Sequence, residues 1–152
     1  MRTLLKVLGF MVVSAIVTRV VALFVARQSD EGTEVSDEFR RTVVFDGIGF
    51  TSRAGGLRRG EVSVLMGSAR VDLRNAVLDP GGAHLAVETT MGGLSVHVRD
   101  VWAVIVEETL IGGGQTEVQV TSPDDLPADA PRLTIDVTTR LAGTLITTGD
   151  DW

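Results

Sequence analysis

An eight-residue unit recurs five times after residue 44: FDGIGFTS (45–52), MGSARVDL (66–73), MGGLSVHV (91–98), IGGGQTEV (111–118) and LAGTLITT (141–148). Each copy opens on a large apolar residue, continues with one or two glycines or small residues, and ends in alternating apolar and polar side chains. Successive copies start 21, 25, 20 and 30 residues apart. Further alternating runs precede the later copies: VSV (62–64), LAVET (85–89), VIVEE (104–108) and LTIDVTT (133–139). Turn signals separate them at Arg53–Gly56, at Asp79-Pro80-Gly81-Gly82 and across Ser122–Pro131. A unit of this length cannot bury its apolar side alone, but it can do so by stacking on the next. The expected fold class is all-β, a short-runged β-solenoid (single-stranded β-helix) over residues 39–149. An antiparallel β-sandwich is the alternative.

The alternation assigns faces. Ile48, Phe50, Val71, Leu73, Leu94, Val96, Val98, Val118 and Ile146 are expected to point inward. Arg70, Asp72, Ser95, His97, Gln115 and Glu117 are expected to point outward. Gly47, Gly67, Gly92, Gly93, Gly112, Gly113 and Gly143 are read as the structural turns, with Gly93 at positive φ.

The first residues behave as a separate piece. Residues 1–27 hold Arg2, Lys6, Arg19 and Arg27 and no acid, while the whole chain has a net charge of −6. The run from Val7 to Ala26 is 20 residues long, about 30 Å as a helix, which matches the hydrocarbon core of a bilayer. Cleavage after Ala26 would place Phe24 where a signal peptidase requires a small residue. A helix lying on the membrane surface would have a poor polar face, with Val13, Val20 and Phe24 on its basic side. The expectation is a transmembrane anchor helix over 1–27, an acidic linker over 28–38 and a tail over 150–152. The protein is then single-pass in the cell membrane, with the lipid bilayer as its first partner.

The chemistry of the chain is sparse. There is no Cys, which excludes disulfides and thiolate metal sites. The acidic balance argues against nucleic acid as a partner. No nucleophile elbow, zinc-protease signature, phosphate loop or dinucleotide fingerprint occurs, so the expectation is a non-enzymatic protein without a cofactor. Adjacent acids such as Glu107-Glu108 face opposite sides of a strand and make no catalytic pair. One constellation stands out. Aligning the five units by their first residue puts Thr51, Asp72, His97, Glu117 and Thr147 at one position, so that Asp72 and Glu117 would flank His97. These three are candidate metal ligands or a pH-responsive patch. A solvated polar ladder is the simpler account of the same residues. Trp102 is expected to pack over an edge of the fold, with ligand stacking as the alternative, and Trp152 to be a frayed end, with a docking tail as the alternative.

Residues 60–114 also resemble a known family. The run Met66–Arg74 (MGSARVDLR), the run Gly82–Val87, the Met91-Gly92-Gly93 turn and the Trp102–Val106 segment look like the C-terminal domain of LiaF-type proteins, the cell-wall-active antibiotics response family. The resemblance covers about a third of the chain closely and most of Phe45–Thr148 loosely. It implies a small β-solenoid related in shape to the bactofilin scaffold. It also implies a regulator that restrains a membrane sensor kinase of an envelope-stress system by protein contact. Two features depart from the family. Its members carry several N-terminal spans where this chain has at most one, and their Asp-Trp pair is here Asp100-Val101-Trp102. The alternative reading is a bactofilin-like structural scaffold, a homo-oligomer that assembles end to end at the membrane.

Overall fold

The computed structural model describes residues 30–149. The expected anchor helix over 1–27 and the tail over 150–152 lie outside these residues. Among the described residues no helix is long and apolar enough to cross a membrane.

Among the described residues ten strands form two five-stranded sheets, and the chain alternates between them. The first sheet holds β1 (Glu38–Val43), β3 (Arg59–Val64), β5 (Ala83–Thr90), β9 (Arg132–Arg140) and β7 (Ala103–Ile111), in that spatial order. The second holds β2 (Asp46–Thr51), β4 (Gly67–Asp72), β6 (Gly92–His97), β10 (Gly143–Thr147) and β8 (Gln115–Gln119). Every ladder between these strands is parallel, so the antiparallel sandwich is set aside. Tight corners join each odd strand to the next even one. Longer loops lead back, and two of them touch where Leu57 pairs with Leu78 and Val77 N–H donates to Ala54 O at 2.9 Å.

The inward alternation holds at every assigned position but Val118. Phe50, Val71, Leu73, Leu94, Val96, Val98 and Ile146 are buried in one core cluster that also takes in Leu85, Leu133 and Ile135 from the first sheet, with Ile48 packed against it. Trp102 is buried there too, in the loop between β6 and β7. At one corner the core turns polar. The Thr139 and Thr144 hydroxyls lie 3.0 Å apart, and the Thr144 hydroxyl donates to that of Thr89 at 3.3 Å. Buried hydroxyls need hydrogen-bond partners, and these three threonines supply them to one another.

The spatial order departs from the chain order at one point: β9 and β10 are inserted between β5/β6 and β7/β8. The reason is legible in the side chains. β9 places Leu133, Ile135 and Val137 inward, each at most 1 % exposed. The corresponding positions of β7 are Val104, Val106 and Glu108. An inward carboxylate in a middle rung would be buried without a partner, which is prohibitively unfavourable. β7 therefore belongs at an end, where Glu108 is exposed. Val118 of β8 shares that end, which is why this inward-assigned residue is exposed.

The segment read as a linker is partly built into the domain. Glu31 pairs antiparallel with Arg40. Asp37 O accepts from Arg58 N–H at 2.8 Å, and Asp37 Oδ1 accepts from Gly56 N–H at 3.1 Å.

Candidate functional site

The Asp72, His97, Glu117 patch is not assembled. Asp72 and His97 are register partners on β4 and β6, and His97 is followed by Thr147 of β10. Glu117 lies beyond β10, opposite Leu145, and accepts a hydrogen bond from Gln119. The aligned position on β8 belongs to Gln119. Two effects defeat the simple alignment: the inserted β9–β10 pair, and the three consecutive glycines at Gly112–Gly114, which lengthen that corner by one residue. Among the described residues no group of three His, Cys, Asp or Glu side chains is placed to hold a metal ion. His97 also departs from the outward expectation. It sits in the outward row but is 1 % exposed, because the chain after β10 folds over it and Gly149 O lies 3.2 Å from Nδ1.

Asp72 has a local role instead. Arg74 grips its carboxylate with Nε donating to Oδ1 at 3.0 Å and Nη2 to Oδ2 at 2.8 Å, and Arg74 N–H also donates to Oδ1. These bonds hold the Asp72 carboxyl below its ordinary value of 3.8, against partial burial. The charges of Arg74 and His97 act in the same direction. A carboxyl whose folded pKa is depressed contributes stability that is full above its unfolded value. That contribution disappears as pH falls through the folded value. Asp72→Asn is thus expected to destabilise the fold by about 1 kcal/mol at neutral pH and to differ little from the parent in strong acid. Equal differences at both extremes in pH-dependent unfolding would show that Asp72 acts through packing alone.

A shallow groove of about 410 Å³ runs over the outer face of the second sheet, past Ser68, Gly93, Ser95, Glu117 and Gly143. It exists because Gly93 and Gly143 present no side chain into open space. Glu117 is its one ionisable group, so it offers no acid–base pair.

The two ends of the sheets are finished differently. At the β1/β2 end, Glu31 and Arg40 exchange backbone hydrogen bonds at 3.0 and 2.9 Å, and Asp30 Oδ1 accepts from Thr42 N–H at 2.8 Å. Arg41 bonds the carbonyls of Glu31 and Gly32 and lies 4.3 Å over the Phe50 ring. At the β7/β8 end, β7 pairs only with β9 and β8 only with β10 among the described residues. Exposed Ile105, Leu110 and Val118 stand there beside Glu107 and Glu108, and neither acid makes an ion pair among the described residues.

The tight corners carry a feature that the repeat pattern alone does not announce. The glycines are not the strained residues throughout. Gly67, Gly112 and Gly113 have positive φ, but Gly47, Gly93 and Gly143 lie inside strands without it. Gly92 opens β6 and is required for a different reason: a Cβ there would overlap the Gly67 carbonyl oxygen. The left-handed positions at three corners are instead Phe45 (φ 56), Met91 (φ 50) and Leu141 (φ 47). A bulky residue there costs about 1 kcal/mol or more. All three are also exposed, by 40, 46 and 64 %. The register aligns the corners in the order Phe45, Met66, Met91, Leu141, Gly112, with Leu65 and Ile111 exposed one residue earlier. The signal was present in the sequence, since each unit opens on Phe, Met, Ile or Leu where a turn favours Gly, Asn or Asp.

Comparison with known proteins returned no matching family model, no matching curated protein and no matching solved structure.

Proposed function

We propose that this protein is a membrane-anchored, non-enzymatic interaction module, single-pass in the cell membrane, that regulates envelope-stress signalling by contact with a membrane sensor kinase. In this reading the two parallel sheets are walls of a short-runged β-solenoid of the LiaF type, and the apolar run from Val7 to Ala26 is the anchor. The resemblance of residues 60–114 supports the signalling role. The observation that carries the module over a self-assembling scaffold is the unequal finish of the two ends. Head-to-tail stacking meets a β1 edge already occupied by Glu31. Tail-to-tail pairing brings the Glu107 and Glu108 of two copies together, and like charges on an edge oppose pairing. The open β7 edge, apolar and acidic, suits an extended partner segment with basic residues at alternate positions, which would add to the sheet as a further strand.

A photo-reactive residue at Leu110 of the full-length chain in cells tests this. The expected adduct is a membrane sensor kinase. A ladder of self-adducts would favour the bactofilin-like scaffold instead. In detergent, the unaltered protein is expected to sediment as one small species at all concentrations, and Glu108→Val to associate in a concentration-dependent way. Filaments of the unaltered protein would overturn the module reading.

A further inference from the structure

Two observations meet at the tight-corner side. The first is the row of exposed Phe45, Leu65, Met91, Leu141 and Ile111, which spans about 19 Å over five rungs spaced about 4.8 Å apart. A solvent-facing corner gains nothing from such residues. They expose apolar surface, and three of them hold a left-handed backbone that Gly or Asn adopts with less strain. The second is where the chain enters. Glu31 runs antiparallel to β1 opposite Arg40, and Asp30 reaches Thr42 N–H. Followed backwards, the chain therefore leaves the domain toward the corner at Val44–Phe45. Only three residues, 27–29, then separate Asp30 from Ala26, the last of the apolar run, so the two lie at most about 14 Å apart along fully extended chain.

We propose that this corner row is a membrane-contact ridge, seated in the interfacial layer of the bilayer that holds the N-terminal segment. The proposal rests on the anchoring reading above and adds an orientation to it. The strand ends at the corners face the lipid, and the long loops carrying Val77 face water. The contact is apolar rather than electrostatic. Among charged residues in or beside the row, Arg140 lies 3.6 Å from Glu88, and Asp46 follows Phe45, so the neighbourhood shows no basic excess to attract anionic lipid. A zwitterionic bilayer suffices, and added salt is expected to leave the contact unchanged. The left-handed corners acquire a purpose. They turn large side chains outward, away from a core that is already filled.

The chain has no Cys, so single introduced cysteines report cleanly. Full-length protein is reconstituted in phosphatidylcholine vesicles with an environment-sensitive fluorophore at Leu65→Cys, Met91→Cys or Val77→Cys, and with lipids carrying a quencher near the glycerol level. Labels at 65 and 91 are expected to be quenched at least threefold more than the label at 77. Adding Met91→Asn and Leu141→Asn to the Leu65→Cys protein is expected to halve its quenching or more. The thermal midpoint is expected to be unchanged or raised, because Asn relieves the backbone. Vesicle-bound protein with a label at 91 no more quenched than that at 77 overturns the ridge and leaves the anchor standing. Protein that does not stay with the vesicles sinks the anchor reading itself, and the ridge with it. A label at 91 shielded from water yet untouched by the lipid quencher assigns the row to a protein neighbour and overturns the membrane proposal. A lowered thermal midpoint in the Asn variants would show that the corner residues serve the fold.

Discussion

Val96→Asp is expected to lower the stability of the fold by about 4 kcal/mol or more, enough to unfold much of the population. Val96 is fully buried on β6 between Val71 and Ile146, its register partners on β4 and β10, both also fully buried. The substitution removes an apolar contact in a middle rung. It also places a carboxylate where the neighbouring rungs present only hydrocarbon, so no partner compensates its desolvation. The residue before it supplies the control. Ser95 faces the open groove of the second sheet, and Ser95→Asp is expected to change stability by no more than about 0.5 kcal/mol. Denaturant unfolding, read by the fluorescence of buried Trp102, measures both. Similar effects at 95 and 96 would mean that the two faces of β6 are wrongly assigned.

The second large effect is expected at the paired corner glycines. Adding a methyl at Gly67 would overlap the Asp46 carbonyl oxygen, and adding one at Gly92 would overlap that of Gly67. Both obstacles are backbone, so neither can swing aside as a side chain does. Gly67→Ala and Gly92→Ala are each expected to destabilise by about 3 kcal/mol, the upper range for forcing atoms into filled space. At Gly67 the positive φ adds to this. The adjacent Gly93 is the contrast. It lies in a strand, and a methyl added there would meet nothing within 4 Å. Gly93→Ala is expected to be neutral or to stabilise by about 0.5 kcal/mol, by restricting the unfolded chain. Opposite signs at two consecutive glycines in thermal unfolding would support the stacking of corners. Destabilisation of equal size at 92 and 93 would sink it.

Whatever depends on neighbours along the chain was legible in the residues alone. Period-two alternation assigned Val71, Leu94, Val96 and Ile146 to the interior, because successive strand residues face opposite sides whatever lies beyond them. The recurring units marked the even strands, and the alternating runs before the later units marked odd ones. The 21- and 25-residue spacings of the first three units correctly put Asp72 beside His97. Which strand lies against which was settled by packing across the fold. Sequential stacking is the natural inference from a repeat, yet β9–β10 enters between its predecessors. The burial of Leu133, Ile135 and Val137 in a middle rung outweighs chain order, and Glu108 is tolerable only at an edge. That one rearrangement, with the longer corner at Gly112–Gly114, moved Glu117 away from His97 and dissolved the expected ladder. The burial of His97 depended on the chain folding back at Gly149, a contact between residues 52 apart that no local pattern encodes. The corner ridge lies between these cases. Its apolar residues are plain in the sequence, but their left-handed backbone, their exposure and their common side with the entering chain arise only when the corners stack.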